Sequence, residues 1–421
     1  MLNSLVDFST LVKSCRSCKS AVRLVYDLGE FYSCGVFPSK DEITVDTGSL
    51  ELMICENCAL VQLSKDFELN SLYTSSYGYR SSINESMVEH LNALASEALK
   101  YFKGSKQIKH LDIGSNDATL INLLKSNFRQ SKIKSLIDIS SLGIDPSGVG
   151  FKEFYTDSEL IVSPFNLDLA RDLKETFDLI TSIAMLYDLP DPTDFFSAVK
   201  LVLAKNGVWI SEQSYFFSMV ENNAFDTICH EHIEYYSVTD IYNLCNKVDL
   251  ELFNVKFDST NGGSFRVYIQ HKGGNAPVSE SLKAVLRSEM LRDKEKDLIL
   301  MFERVNSVNK DVMNFLEKCS IDGRVVHGYG ASTKGNTLLQ YFKINKNLLP
   351  QIAEKNDKKF GKVTPGTGIP IISEVASKQQ KPYAYLVLPW HFKKSILLRE
   401  QEFIEKTGTK FVFPLPSFEI V

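Results

Sequence analysis

The stretch IKHLDIGSNDATLINLL (residues 108–124) reads as a buried strand, a glycine turn and an amphipathic helix. That unit recurs. SLGIDPS (141–147), FDLITSIAML (177–186) and GVWISEQSY (207–215) are further strand candidates, separated by helical stretches such as DPTDFFSAVKLVLAKN (191–206). Strands alternating with helices can bury both sheet faces only as a mostly parallel, doubly wound sheet. ELFNVKFDSTNGGSFRVYIQHK (251–272) then reads as an antiparallel hairpin closing that unit. The charged run 288–318 reads as a long, solvated helix. VVHGYGASTKGNTLLQYF (325–342) starts strand–turn–helix again, with strands in LLPQIAEKND and YAYLVLPW, so a second α/β unit is expected. With 421 residues, the chain exceeds what one core usually serves.

Ahead of these units stand two cysteine pairs, Cys15-Arg-Ser-Cys18 and Cys55-Glu-Asn-Cys58. Each CxxC forms a tight knuckle whose thiolates face one cation, and two knuckles complete a tetrahedron. A redox CxxC is the rival reading, but two such pairs in one small module favour zinc. Four thiolates leave no open position, so the role is structural. Cys34, between the knuckles, is expected to be a buried thiol.

The opening MLNSLVDFSTLVKSCRSC does not read as a signal peptide, and no apolar run is long enough to span a bilayer. A cytoplasmic protein is expected. There the eight cysteines are thiols or metal ligands. With 47 basic and 52 acidic residues, net charge −5, binding to nucleic acid through bulk charge is not expected.

The turn Asp112-Ile-Gly114-Ser-Asn116-Asp117 selects the ligand of the middle unit. A dinucleotide fingerprint needs several glycines so that amides approach a pyrophosphate. Here Gly114 stands alone, and Asp112 and Asp117 would repel a diphosphate, which argues against an NAD-dependent oxidoreductase. Acidic groups suit an ammonium and a sulfonium, so S-adenosylmethionine (SAM) is the expected ligand. Asp145, followed by Pro146, ends the next strand and can accept ribose hydroxyls. A turn with no ligand is the bland alternative.

DIGSNDATL, GIDPSG, LYDLPDP, ISEQSYFFSMV, DTICHEHIEYYS, NGGSFRVYI and GYGASTKGN, in this order after paired CxxC knuckles, resemble the SAM-dependent sugar C-methyltransferases of deoxysugar biosynthesis. The resemblance runs from about Cys15 to the LPWHF near residue 390. It implies an α/β protein of three parts: a zinc-binding module (1–72), a Rossmann-like SAM domain (73–275) and a C-terminal α/β domain (276–421). It further implies a nucleotide-linked 4-keto sugar as substrate, and a monomer or weak dimer is expected.

CHEHIEYY (229–236) holds two of only seven histidines in the chain. As a metal site it lacks a third ligand; a structural knot and an acid/base cluster remain. Methylating carbon requires removal of the hydrogen beside a ketone, a task for a base with pKa near working pH, and the enolate needs a donor at oxygen. The resemblance places the base at His232, with His230 beside it and Glu231 steering substrate or imidazole. It matches Tyr79 of SYGYR, with Tyr77 close by, to tyrosines near the substrate. Tyr187 stands where methyltransferases often carry histidine, and Cys229 where some relatives carry tyrosine. GYGASTKGNT lacks the Lys-Ser/Thr pair of a P-loop, so ATP is not expected. Ser332, Thr333 and Lys334 near a helix start instead make an anion site for the sugar nucleotide's diphosphate. Transfer to oxygen or nitrogen, which needs no carbon base, is the alternative chemistry; a non-enzymatic zinc and nucleotide scaffold is the second alternative.

Overall fold

The computed structural model describes residues 9–39, 45–67, 80–102, 107–130 and 138–421. Three sheets organise them, with a short pairing of β1 (Ser9–Leu11) at the N-terminal side. β2 (Val22–Tyr32), β3 (Thr47–Cys55) and β4 (Val61–Leu63) form an antiparallel sheet, and β5 (Lys65–Phe67) returns to pair with β1. The first knuckle precedes β2. The second ends β3 and turns into β4.

Helix α1 (Glu85–Ala98) is capped by Asn84, which accepts from Ser86 N, and buries Met87, Leu91, Leu94, Ala95 and Ala98. That i, i+4, i+7, i+8, i+11 stripe is what an amphipathic helix presents to a core. β6 (Gln107–Ile113), helix α2 (Thr119–Gln130), β7 (Asp138–Ile144), β8 (Glu159–Ile161), β9 (Phe177–Ile183) and β10 (Leu203–Ser214) follow. The short β11 (Glu234–Tyr235) leaves this unit and pairs with β4 instead. β12 (Leu250–Asp258) and β13 (Ser264–His271) close the central sheet as an antiparallel hairpin. Its order is β12-β13-β10-β9-β6-β7-β8. β7 and β9 flank β6, so the chain reverses its direction of travel there. Ligands bind doubly wound sheets in the crevice at such a switch point, beyond the strands' carboxyl ends.

The charged run is not mainly solvated. Helix α3 (Lys294–Ile321) buries Leu298, Met301, Phe302, Val305, Val308, Val312 and Leu316 along one face. Phe302 stacks on Tyr26 of β2 with ring centroids 3.5 Å apart, so α3 joins the N-terminal sheet to the C-terminal one. Apart from Lys294, which is buried against Asp240, charge covers its outer face, which is why composition alone misled.

The third sheet comprises β14 (Val326–Tyr329), β15 (Ile352–Glu354), β16 (Ile371–Ser373), β17 (Ala384–Val387), β18 (Lys410–Phe413) and β19 (Glu419–Ile420). Its order, β16-β15-β14-β17-β18-β19, repeats the reversal about the first strand, with only β19 antiparallel. Helix α4 (Thr333–Tyr341) starts at that second switch point.

Candidate active site

The four expected metal ligands converge. One sulfur each from Cys15, Cys18, Cys55 and Cys58 lies within 4.8 Å of all the others. Cys15 Sγ is 3.6 Å from Cys58 Sγ, and Cys18 Sγ is 3.4 Å from Cys55 Sγ. A tetrahedral Zn–S bond of about 2.3 Å puts sulfurs roughly 3.8 Å apart, whereas a disulfide needs about 2.05 Å. The spacing fits zinc. The Cys18 amide donates to Cys15 Sγ and the Cys58 amide to Cys55 Sγ, as expected of turns shaped around thiolates.

At the central switch point the end of β6 and the turn after it bury Asp112, Ser115 and Asp117. Gly114 adopts φ +74°, and a Cβ there would meet Met185 at 3.0 Å. Asn116, Ala118 and Ala184 also take left-handed conformations, unusual for residues with a Cβ and common where backbone is held for a ligand. Asp112 accepts from Thr181 Oγ1 at 2.6 Å. Burial pushes its carboxyl up to about 7, against the Thr181 hydrogen bond and with the help of the Asp145 charge. Asp145 accepts from the Asn116 amide at 2.8 Å and from the Ser147 amide and hydroxyl at 2.7 and 2.6 Å. Pro146 sits between Asp145 and Ser147. Asp117 and Asn116 turn to the segment before α1: Asp117 accepts from Ser82 N and Oγ, and Asn116 Oδ1 from Ser81 N. Asp112 and Asp145 thus stand as two buried carboxylates at the switch point, while Asn116 and Asp117 hold the turn.

The turn after β9 links this crevice to CHEHIEYY. Met185 covers Gly114, and two residues on, Tyr187 meets the His232 ring edge-on at 4.4 Å. Tyr187, Thr227, His232, Tyr235 and Ser214 line one pocket. His232 Nδ1 lies 2.7 Å from the Thr227 carbonyl oxygen. A carbonyl only accepts, so Nδ1 carries the proton and Nε2 keeps its lone pair. Burial, with the Lys334 charge nearby, depresses His232 to about 4 against the pull of the Thr227 carbonyl. The ring is therefore neutral at pH 7, with a pKa below the near-neutral value expected of the base from the sequence, because burial disfavours its charged form. Tyr235 Oη donates to the His232 carbonyl at 2.8 Å, fixing the backbone as well.

His230 faces the other way. It is buried against β3 and β5, with Nε2 3.3 Å from the Gly48 carbonyl and its ring edge-on to Phe67 at 4.7 Å. Glu231 is buried beneath Gly35, where a Cβ would collide with Glu231 Oε1 at 2.2 Å; Oε2 has no hydrogen-bond partner among the described residues, and burial raises its carboxyl. Tyr77 and Tyr79 lie outside the described residues.

In the C-terminal unit, Ser332 caps α4 by accepting from the Gly335 amide at 3.0 Å, and Thr333 and Lys334 form the first turn. Lys334 is drawn down by burial and held up by Asp226. Asp226 is fully buried, and Oδ2 accepts from Trp390 Nε1 at 2.8 Å. Sequence reasoning missed Thr227, Asp226 and Met185 and gave Trp390 no role. Only the run DTICHEH, which puts two of them beside the histidines, offered a signal.

Three family profiles tile this chain: a zinc binding domain over residues 15–73, a methyltransferase domain over 87–255 and the C-methyltransferase C-terminal domain over 259–416. C-methyltransferase NovU of Streptomyces niveus is 25% identical over 384 residues, spanning 88% of this chain and 87% of NovU. The chain belongs to the SAM-dependent C-methyltransferases. Among solved structures, a SAM-dependent methyltransferase from Clostridium acetobutylicum ATCC 824 covers 44% of this C-methyltransferase and 92% of itself, at 14% identity and TM-score 0.34. The plantazolicin methyltransferase BpumL in complex with SAH covers 45% and 86%, at 9% identity and TM-score 0.34. SAM and zinc are the cofactors of this C-methyltransferase, matching the acidic crevice and the four-sulfur cluster. Among the described residues no helix is long and apolar enough to cross a membrane.

Proposed function

We propose that this C-methyltransferase acts on the carbon beside the ketone of a nucleotide-linked keto-deoxysugar, with His232 as the base. The observation that carries the reading is the tethered imidazole: Nδ1–H bound to the Thr227 carbonyl at 2.7 Å leaves Nε2 to take a proton, in a pocket one turn away from Gly114. SAM supplies an electrophilic methyl group on sulfonium. The chain's residues do the rest. His232 Nε2 would remove the hydrogen made acidic by the ketone, and the electron pair left on carbon would take the methyl group as its bond to sulfur breaks, with that bond's electrons staying on sulfur to leave S-adenosylhomocysteine. The proton stays on the imidazole until it is lost to solvent.

Asp145 would hold the ribose hydroxyls and Asp112 the positive end of SAM, while Asn116 and Asp117 keep the turn in shape. Zinc, held by Cys15, Cys18, Cys55 and Cys58, would stiffen the knuckles. Ser332, Thr333 and Lys334 would face the diphosphate, where the amides at the start of α4 add partial positive charge. Glu231 and Tyr187 would shape the wall around the sugar, and Tyr77 and Tyr79 remain proposed contacts on sequence grounds.

A panel of nucleotide-linked 4-keto sugars, incubated with SAM and read by mass spectrometry, tests the substrate class. Gain of one methyl, mapped by NMR to the carbon next to the ketone, is the expected result. Methyl on no sugar of the panel would refute it.

A further inference from the structure

We infer that Trp390, from the C-terminal domain, is a positioning residue for the base: its indole N–H, through Asp226, fixes the carbonyl that orients His232. The inference rests on the reading of His232 as base.

Three motifs without a role so far meet here: the LPWHF run, the NGG turn of the β12–β13 hairpin and the residues just before CHEHIEYY. Trp390 is buried. Its six-membered ring lies against Gly262, where a Cβ would stand 3.4 Å from Cη2. Gly262 has φ +92°, so both its conformation and the seat it leaves for the indole call for glycine. Trp390 Nε1 donates to Asp226 Oδ2 at 2.8 Å across 164 residues of sequence. The next residue, Thr227, presents its carbonyl to His232 Nδ1 at 2.7 Å. The same segment is pinned once more from the C-terminal domain, where Asn223 Nδ2 donates to the Pro416 carbonyl at 2.8 Å.

The segment 223–232 therefore takes its position from the C-terminal domain, not only from the sheet it extends. A backbone carbonyl that moves out of hydrogen-bond reach of Nδ1, or out of line with it, no longer selects the Nδ1–H tautomer, and Nε2 then carries the proton in part of the population. An Nε2–H imidazole cannot accept the substrate's proton at that atom.

The test uses the full chain labelled with ¹⁵N-histidine, whose seven histidines give few signals, with His232 assigned from the His232→Asn variant. Ring nitrogen shifts report the tautomer with no sugar present, so an error in the substrate class leaves the readout intact. Wild type should show His232 as Nδ1–H. Trp390→Phe keeps the ring and removes the donor. It should show mixed tautomers and, with a methylated sugar as readout, kcat lower by roughly 10- to 100-fold at unchanged KM for SAM. If that variant does not fold, Asp226→Ala carries the test; it also takes the counter-charge from Lys334, an effect that Lys334→Met reports separately in the same tautomer readout. A folded variant of either kind with His232 wholly in the wild-type tautomer overturns the proposal.

Discussion

Asp112, as the proposed partner of SAM's positive end, would set a condition on cofactor binding. Burial raises its carboxyl from 3.8 to about 7, so in SAM-free protein it is half neutral near neutral pH. The unfolded chain ionises it near 4. Between about pH 4 and 7 the folded state binds the extra proton, and its stability falls as pH rises through that window. A cationic ligand reverses the balance by favouring the carboxylate. SAM affinity is therefore expected to strengthen as pH rises through 7, with proton release on binding, and Asp112→Asn should flatten that dependence. Calorimetry in buffers of different ionisation heat measures both. At Asp145 we expect Asp145→Ala to weaken SAM binding by about 1.5–3 kcal/mol. It also removes the acceptor for the Asn116 and Ser147 amides, so a lower Tm should accompany the loss. These two carboxylates were legible in sequence because each ends a strand before a turn. The partner of His232 was not, since Thr227 acts through its carbonyl, which every residue type possesses.

At the scale of elements, the knuckles and the histidine motif form one structure. The Arg16 amide donates to Gln62 Oε1 at 2.8 Å, Gln62 lies opposite Glu234 in the β4–β11 pairing, and Glu234 is two residues beyond His232. Stripping zinc with a chelator should therefore abolish methyl transfer along with the near-ultraviolet signal of the module, and metal analysis of untreated protein should give about one zinc per chain. Full activity at zero zinc would refute that link. In the crevice, Gly114→Ala should cost about 1–2 kcal/mol from its left-handed backbone, with further loss where the Cβ meets Met185. Thermal unfolding and SAM titration both report it. The alternation of strand and helix was readable because its period changes at each glycine or proline turn. β11 was not: two residues make no pattern, and its partner β4 lies far away in sequence.

For the whole molecule, the proposed chemistry lies where three sheets meet. The central switch point brings Gly114 and Asp112, the N-terminal sheet anchors the strand after His232, and the C-terminal domain supplies α4 and Trp390. α3 ties the outer two together through an apolar face that its charged composition concealed. Proton removal by His232 is the claim on which this arrangement depends, and isotope transfer measures it most directly. With a nucleotide-linked 4-keto sugar deuterated at the carbon beside the ketone, the wild-type product should gain methyl and lose the deuterium. His232→Asn should retain SAM binding and lose at least 100-fold in turnover. A product that keeps the label on that carbon, or full turnover in His232→Asn, would contradict the assignment.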